Sequence, residues 1–564
     1  MSSALQAEVL SIREIFGSTA DLRVPPYQRG FAWEDAETSA LLADLLEAFE
    51  TDTIYFLGAI VVIHPKARGP SDVVDGQQRL TTLTIMLAVL RDLAPEDSDA
   101  ADLHAMIGHE ALIWGERRRW RITLNHLDTA FFRTHVQKRG ATLNLDEIEA
   151  AAASESQLRI ASAVRAIHDE LREMAAEERI RFARWLANNV SLARVRVGEH
   201  NLGYKVFLVL NQRGKPLSDH DILKSALFEQ AGFSDEEAIA NSSRWNEFSG
   251  RLGSVAFEGM LKQIRFLYDR SMKGEFIDGL MKSVTARMPV SRFINEVLPR
   301  FVDAYDTVST GAVHDIDPGP DALRSLCFLR SIHHESWRAP AIKFLIEGPS
   351  DPEISARFFS RLERLAYMMQ YSIKERDYRH KRYRRLMDAM DTPGAIFASG
   401  SPLDLTREEE FRFLERLRGR FPNFKQRRAL VMRLNAAVPG GAALAPESDA
   451  TLEHIFPRTL PKTSVWLKHW TSSEDIAELT ECLGNFTLLP DAVNQAADRA
   501  DFDAKKSLYF PDGGPAAFAL SEDLRDVAAW TPETARLRRD LMVAHLARAW
   551  DLAPAERQHG RAGD

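Results

Sequence analysis

At 564 residues the chain exceeds what one hydrophobic core supports, so about three domains are expected. Its formal charge of -9 excludes a protein that coats nucleic acid unspecifically, because such binding rests on phosphate neutralisation by lysine and arginine, and any DNA contact must be local. The 2 cysteines, Cys327 and Cys482, lie far apart without a CxxC, which argues against a structural zinc site or a disulfide framework. MSSALQAEVL lacks the charged-then-apolar pattern of a leader and no apolar run approaches a membrane span, so a cytoplasmic location with no membrane contact is expected.

The first informative segment is VPPYQRGFAWE at 24–34, an extended Pro-rich entry that carries Tyr27, Gln28 and Arg29 and leads into the helical ETSALLADLLEAF. FLGAIVVIH at 56–64 and DVV at 72–74 are β-branched, apolar and turn-bounded, and read as buried strands. They run into DGQQRLTTLTIMLAVLRDL, where Leu80, Leu83, Met86, Leu87 and Leu90 fall at helical spacing. Asp75 to Arg79 therefore form a strand-to-helix turn whose free N–H groups face any bound anion. Gly76 permits close approach, Arg79 can fork onto a phosphate, Gln77 and Gln78 can donate to phosphate or ribose oxygens, and Asp75 can hold a cation or orient water. The chain has no GxxxxGK[ST], so this is not a P-loop. In the alternative reading, Asp75 caps the helix and Arg79 pairs with a neighbouring acid.

Residues 95–195 are rich in amphipathic Ala/Glu stretches and read as a helical insertion in an amino-terminal domain spanning 1–234. Within them, ERRRWRITLNHLDTAFFRTH at 116–135, with Arg117, Arg118 and Arg119, is a candidate DNA contact. YKVFLVLNQRGKPLSDHDILKSALF at 204–228 places Asn211, Arg213, Asp221 and Lys224 around a third polar turn. Three such turns, each at the end of a buried element, describe a site assembled from distant segments, although each turn alone could be capping chemistry.

A helical connecting domain is expected over 235–440. It includes KERDYRHKRYRR at 374–385, where Tyr378 and Tyr383 interleave with Arg376, Arg379, Lys381, Arg382, Arg384 and Arg385. That mixture suits phosphates and bases, or else forms an ordinary solvated helix face. AAVPGGAALAPESDA at 436–450 has the composition of a linker that lets the last domain, 441–564, move.

The last domain carries EHIFP at 453–457, LGNFTLLPDAVN at 483–494 and FDAKK at 502–506. TLEHIF and NFTLL read as short strands, and the stretch beyond Asn494 reads as a helix. Hydrolysis of a phosphodiester needs a base on water and a cation that neutralises the phosphate. His454 fits the base. Glu453 and Asn494 fit as oxygen ligands that leave positions open for water and phosphate, as magnesium prefers, and Asn485 can brace the loop between them. Two strands and a helix around one cation is the ββα-metal, or His-Me finger, layout, and the residues resemble its HNH nuclease branch. A lone His beside a Glu is otherwise a surface or core residue; the ordered EH, GN, N and trailing Lys505 and Lys506 favour the nuclease.

Taken together, YQR with a following aromatic-Trp, DGQQRLTTL, and F-x-x-LN-x-RG-x-PL-x-x-x-D-x-x-K resemble the amino-terminal domain of the GmrSD-type modification-dependent (type IV) restriction proteins. EHIFP, LGN, LL, N and F-x-x-K resemble their carboxy-terminal HNH domain. The resemblance implies an α+β, predominantly helical protein: a ParB/sulfiredoxin-like amino-terminal domain that binds and hydrolyses a nucleoside triphosphate (GTP, ATP or CTP), a helical middle, and a ββα-metal nuclease that nicks or cuts DNA with Mg2+ or Mn2+. It implies a role in prokaryotic anti-phage defence, with double-stranded modified phage or host DNA as partner and a homodimer left open. By similarity Asp75, Gly76, Gln77, Gln78 and Arg79 go with the nucleotide, joined by Asn211, Arg213 and Lys224, and Tyr27, Gln28 and Arg29 go with the same cavity or the modification sensor. His454, Glu453, Asn485, Asn494 and Lys505 go with cleavage. Many HNH proteins carry Asp where this chain has Glu453, whose longer reach puts its ligand role in doubt. The alternative is a nucleotide-dependent sensor of DNA modification, phosphorothioate for example, that acts as a binding module in a larger defence complex.

Overall fold

The computed structural model describes residues 5–17, 21–63, 70–109, 119–197, 218–270, 273–373, 375–444, 448–461 and 464–552. The fold is α+β and predominantly helical, and it divides into two compact units, residues 1–258 with 274–296 and residues 259–273 with 297–564. The middle helices, expected as a region of their own, contribute to both.

The first unit is organised by strands β1 (Leu5–Ser11), β2 (Leu22–Arg23), β3 (Tyr55–Ile63) and β4 (Ser71–Asp75), a short pair β5 (Gly108–His109) and β6 (Arg119–Trp120), then β7 (Ile122–Thr123) and β8 (Val190–Val197). Six of them form a mixed sheet in the order β1-β8-β3-β4-β2-β7. β3 runs parallel to β8 and antiparallel to β4. The strands expected at 56–64 and 72–74 are present, and β8 is an addition to the sequence reading, which had carried helix through 195. Val190 and Leu192 face one side of the sheet and pack in the main core, while Val195 and Val197 face the other with Val61, so the β-branched residues of VSLARVRV are buried on both faces of a strand rather than along one helical stripe.

Helix Gln77–Asp92 is buried all the way from Leu80 to Arg91, as expected of a helix that is apolar on every side. Ile160, Val164, Ile167, Phe182 and Leu186 of helices Glu155–Glu173 and Ala176–Asn189 share its apolar cluster. The helices expected as an insertion are thus walls of this unit's core.

In the second unit, β9 (Ala450–His454) pairs antiparallel with β10 (Phe486–Pro490), with Phe486 opposite His454 and Thr487 opposite Glu453. Helices Asp491–Ala497 and Phe502–Tyr509 follow. The segment expected as a free linker is tied down where it is described. Asn435 donates from its amide to the Ala442 carbonyl at 3.1 Å, Cys327 to that of Leu444 at 3.4 Å, and Arg428 to those of Ser448 and Ala450 at 3.3 Å each. Small residues here permit close packing rather than free movement.

The arginine run lies on helix Arg376–Met390, and part of it is core. Arg382 is buried, donates to the Pro402 and Asp404 carbonyls and pairs with Glu409 at 3.4 Å; Tyr383 is fully buried. Tyr378 donates to Glu409 at 2.9 Å and Arg379 to the Ile373 carbonyl at 2.9 Å. Arg376, Lys381, Arg384 and Arg385 remain exposed. Apolar Leu386 and Met387 draw the adjoining face inward, so the run is not one DNA-facing surface. Arg117 and Arg118 lie outside the described residues.

Candidate active site

β9 ends on His454, and the backbone turns away at Ile455 and Phe456, both buried. Asn485 holds this turn. Its side-chain oxygen accepts the Phe456 amide at 2.7 Å, its NH2 donates to the Phe456 and Thr480 carbonyls at 2.9 Å each, and its own carbonyl accepts the Ile455 amide at 3.0 Å. The bracing expected of Asn485 is what the structure shows.

His454, Glu453 and Asn494 all border an open cleft of about 440 Å3, with Arg458, Asp498 and Arg499 on its rim. Asn494 donates from Nδ2 to Thr451 Oγ1 at 2.8 Å and to the Leu452 carbonyl at 3.2 Å, which commits its nitrogen to β9 and leaves the amide oxygen for the cleft. Glu453 is buried. Its Oε1 receives Lys505 Nζ at 2.5 Å and Tyr509 Oη at 3.0 Å, and the carboxylate also accepts the His454 backbone amide. Burial pushes the Glu453 carboxyl up and the Lys505 ammonium down, and in each case the partner's charge opposes the shift. Lys505, grouped with the catalytic residues by sequence, is fully buried and also donates to the His454 carbonyl at 2.8 Å. It positions the end of β9.

The residue sequence reasoning missed is Glu481. Its Oε2 lies 3.3 Å from His454 Nε2 and 2.6 Å from Arg427 Nη1, and its Oε1 lies 2.9 Å from Arg458 Nε. With Nε2–H donated to that carboxylate, the lone pair of His454 is left on Nδ1. Burial lowers the imidazole pKa against the pull of Glu481, which favours the neutral form a base requires. Burial acts to raise the Glu481 carboxyl, but His454, Arg427 and Arg458 outweigh it and hold it ionised. The acid in ECLGN, four residues before Asn485, was the available signal; nothing in the strand pattern marked it as the partner of His454.

In the first unit the first two polar turns meet, and helix Asp219–Ala231, which follows the third, lies beside them. Gln28 donates to the Val74 carbonyl at 3.3 Å; Gln78 accepts the Ala32 amide at 2.8 Å and donates to the Gly30 carbonyl at 3.2 Å. The Tyr27 ring lies 5.8 Å from that of Phe228, one turn along the helix from Lys224. The cap of helix Gln77–Asp92 is Gly76 at φ 89°, without a side-chain cap bond, so Asp75 is not its cap. A Cβ at Gly76 would meet Ile60 Cγ2 at 2.4 Å. Arg79 is anchored by a 2.8 Å bond to the Ala59 carbonyl at the irregularity of β3, where Gly58 adopts φ 104°.

Burial opposes the charged form of several groups in this cluster. Burial drives the Lys224 pKa down to about 8 against the attraction of Asp221, and it lowers that of Arg29 as well. Burial also raises Asp75, with Arg79 opposing. Among the described residues, Gln28 Oε1 and Arg29 Nε are buried without a hydrogen-bond partner. The described residues leave a space of about 10 Å3 beside Arg29, Gln77, Gln78 and Asn125, roughly one water's worth. Asn211 and Arg213 lie outside the described residues.

No curated protein matches the chain. Two family models do: the GmrSD restriction endonuclease N-terminal domain over residues 12–228, which spans the sheet and the three turns, and the GmrSD restriction endonuclease C-terminal domain over residues 406–545, which spans the strand pair, Glu481 and the cleft. Both halves match in order and together cover more than half of the chain, and it therefore belongs to the GmrSD family of restriction endonucleases, enzymes that cut DNA.

Proposed function

We propose that the protein is a nucleotide-regulated, modification-dependent endonuclease that hydrolyses DNA with Mg2+ or Mn2+ at the His454 cleft. The observation that carries the nuclease assignment is His454 at the end of β9, with Nε2 3.3 Å from Glu481 Oε2 and burial favouring its neutral form, beside a cleft that Asn494 also borders. His454 takes a proton from water at Nδ1 and holds it while Glu481 stabilises the resulting imidazolium. The Glu453 carboxylate and the Asn494 amide oxygen suit a hard cation that keeps most of its waters. When bound, that cation neutralises charge on the scissile phosphate. Arg458 and Arg499 on the rim are placed to meet neighbouring phosphates.

The amino-terminal site is assigned to a nucleoside triphosphate, with Arg79, Arg29 and Lys224 as cations for its phosphates and Gln28, Gln77 and Gln78 as donors. Its support is the meeting of distant segments around the buried cations Arg29 and Lys224, whose charge burial opposes. Regulation requires nucleotide and DNA to prefer the same conformation.

The test is a plasmid-cleavage assay with magnesium, on paired modified and unmodified DNA, with each nucleotide in turn. Cleavage that His454→Ala reduces by about 10²–10⁴-fold supports the reading. DNA binding without cleavage under every condition would replace it with the binding-module alternative. Calorimetry tests the nucleotide half separately: Arg79→Ala should weaken triphosphate binding by roughly one to two orders of magnitude, the loss of one charge-assisted contact.

A further inference from the structure

A second cleft in the carboxy-terminal unit, of about 660 Å3, is lined by Tyr371, Ser372, Arg412, Arg416, Arg420 and Pro422. It contains three arginines and no acid, in a chain whose formal charge is -9. Arg412 and Arg416 are one turn apart on helix Arg407–Arg418, about 6 Å along its axis, and Arg420 follows just beyond its end. Along one strand, which carries a charge every ~3.4 Å of duplex axis, that distance spans about two phosphate intervals.

Two details show a surface short of an anion. Arg416 is half-buried and has no carboxylate among its described partners; its guanidinium donates to the Arg420 carbonyl at 2.9 Å and lies over the Phe421 ring at 4.3 Å. Burial lowers its pKa accordingly. The Ser372 hydroxyl is buried with no hydrogen-bond partner among the described residues. Arg412 is paired with Glu408, but both are exposed, and such a pair is weak enough to exchange for a phosphate.

The cleft is also joined to the nuclease site. Arg420 forms a backbone bridge with Cys482, and the Phe421 amide donates to the Glu481 carbonyl at 2.7 Å. Glu481 is the residue that turns His454. One short segment therefore carries a phosphate-sized cation on one side and fixes the base on the other.

We propose that Arg412, Arg416 and Arg420, with the Ser372 hydroxyl, form a groove that grips the backbone of duplex DNA on the flank of the scissile phosphate and sets its register against His454. The assignment rests on the nuclease reading of that cleft and deepens it. These contacts carry no base recognition, so the groove serves modified and unmodified duplexes alike.

The experiment uses the full chain in a His454→Ala background and measures binding of a labelled duplex at several salt concentrations. Replacing Arg412, Arg416 and Arg420 together by Gln should weaken binding by about tenfold or more and flatten the salt slope by roughly 2 to 3, at about 0.9 per lost contact. Should loss of Arg416 from the Phe421 ring unfold the protein, Arg412→Gln with Arg420→Gln leaves that stacking intact and should still remove just under ~2 of slope. An unchanged slope in the folded variants overturns the groove. Cleavage by the unmutated chain reads the other assignment independently: a chain that cuts while the variants bind normally loses only the groove, and one that never cuts while the variants lose slope loses only the nuclease.

Discussion

His454 and Glu481 meet at 3.3 Å between Nε2 and Oε2, across 27 residues of chain, and the meeting decides which ring nitrogen is available for chemistry. Arg427 and Arg458 favour the ionised carboxylate, so the orientation of the base depends on two arginines from separate segments. Glu481→Gln should reduce the cleavage rate by about 10–100-fold, the usual loss when such an orienting partner is removed. Because Glu481 raises the His454 pKa, its removal should let that pKa fall further. The active base is the neutral form, so the acid limb of the pH–rate profile should move to lower pH. A limb that stays in place would show that Glu481 does not act on His454.

Lys505 and Glu453 form a buried pair whose charges are each disfavoured by burial. Lys505→Met strands the Glu453 carboxylate beside Tyr509 and should cost about 3–5 kcal/mol. Denaturant titration reads this directly, and adding Glu453→Gln should recover part of the loss. A wild-type midpoint for Lys505→Met would mean that Glu453 already reaches solvent through the cleft.

Gly76 combines a φ of 89° with a Cβ path that ends on Ile60 at 2.4 Å. Gly76→Ala should therefore destabilise the first unit by ~2 kcal/mol or more, from strain and overlap together. The expected signature is a lowered melting temperature with no effect on the folding of the nuclease unit. An unaltered melt would show that the turn relaxes at little cost.

Along helix Arg376–Met390 neighbouring arginines should behave differently. Arg382→Gln removes a buried cation from Glu409 and two carbonyls and should cost roughly 3 kcal/mol. Arg384→Gln with Arg385→Gln, both exposed, should change stability by no more than about 0.5 kcal/mol. Equal effects from the two sets would contradict the burial of Arg382.

The sequence by itself determined the local units. Short β-branched apolar runs bounded by turns placed β3 and β4, the helical spacing of leucines from Leu80 placed the core helix, and Gly76 marked the turn between them, because these depend on short-range sterics and local pattern. EHIFP, the GN turn and Asn494 likewise placed two strands and a helix, and an amide at Asn485 was legible as a brace because a turn needs one there. Tertiary structure alone decided the partners. Nothing local to 374–385 says that Arg382 points inward, since a helical arginine is buried only if a distant acid and free carbonyls await it. The same holds for the small-residue stretch after Asn435, which composition marks as flexible and contacts from distant Cys327 and Arg428 hold in place. Glu481 is the clearest case: a carboxylate beside a turn becomes the partner of a base only when two strands, a bracing amide and two arginines from separate segments bring them within hydrogen-bond reach.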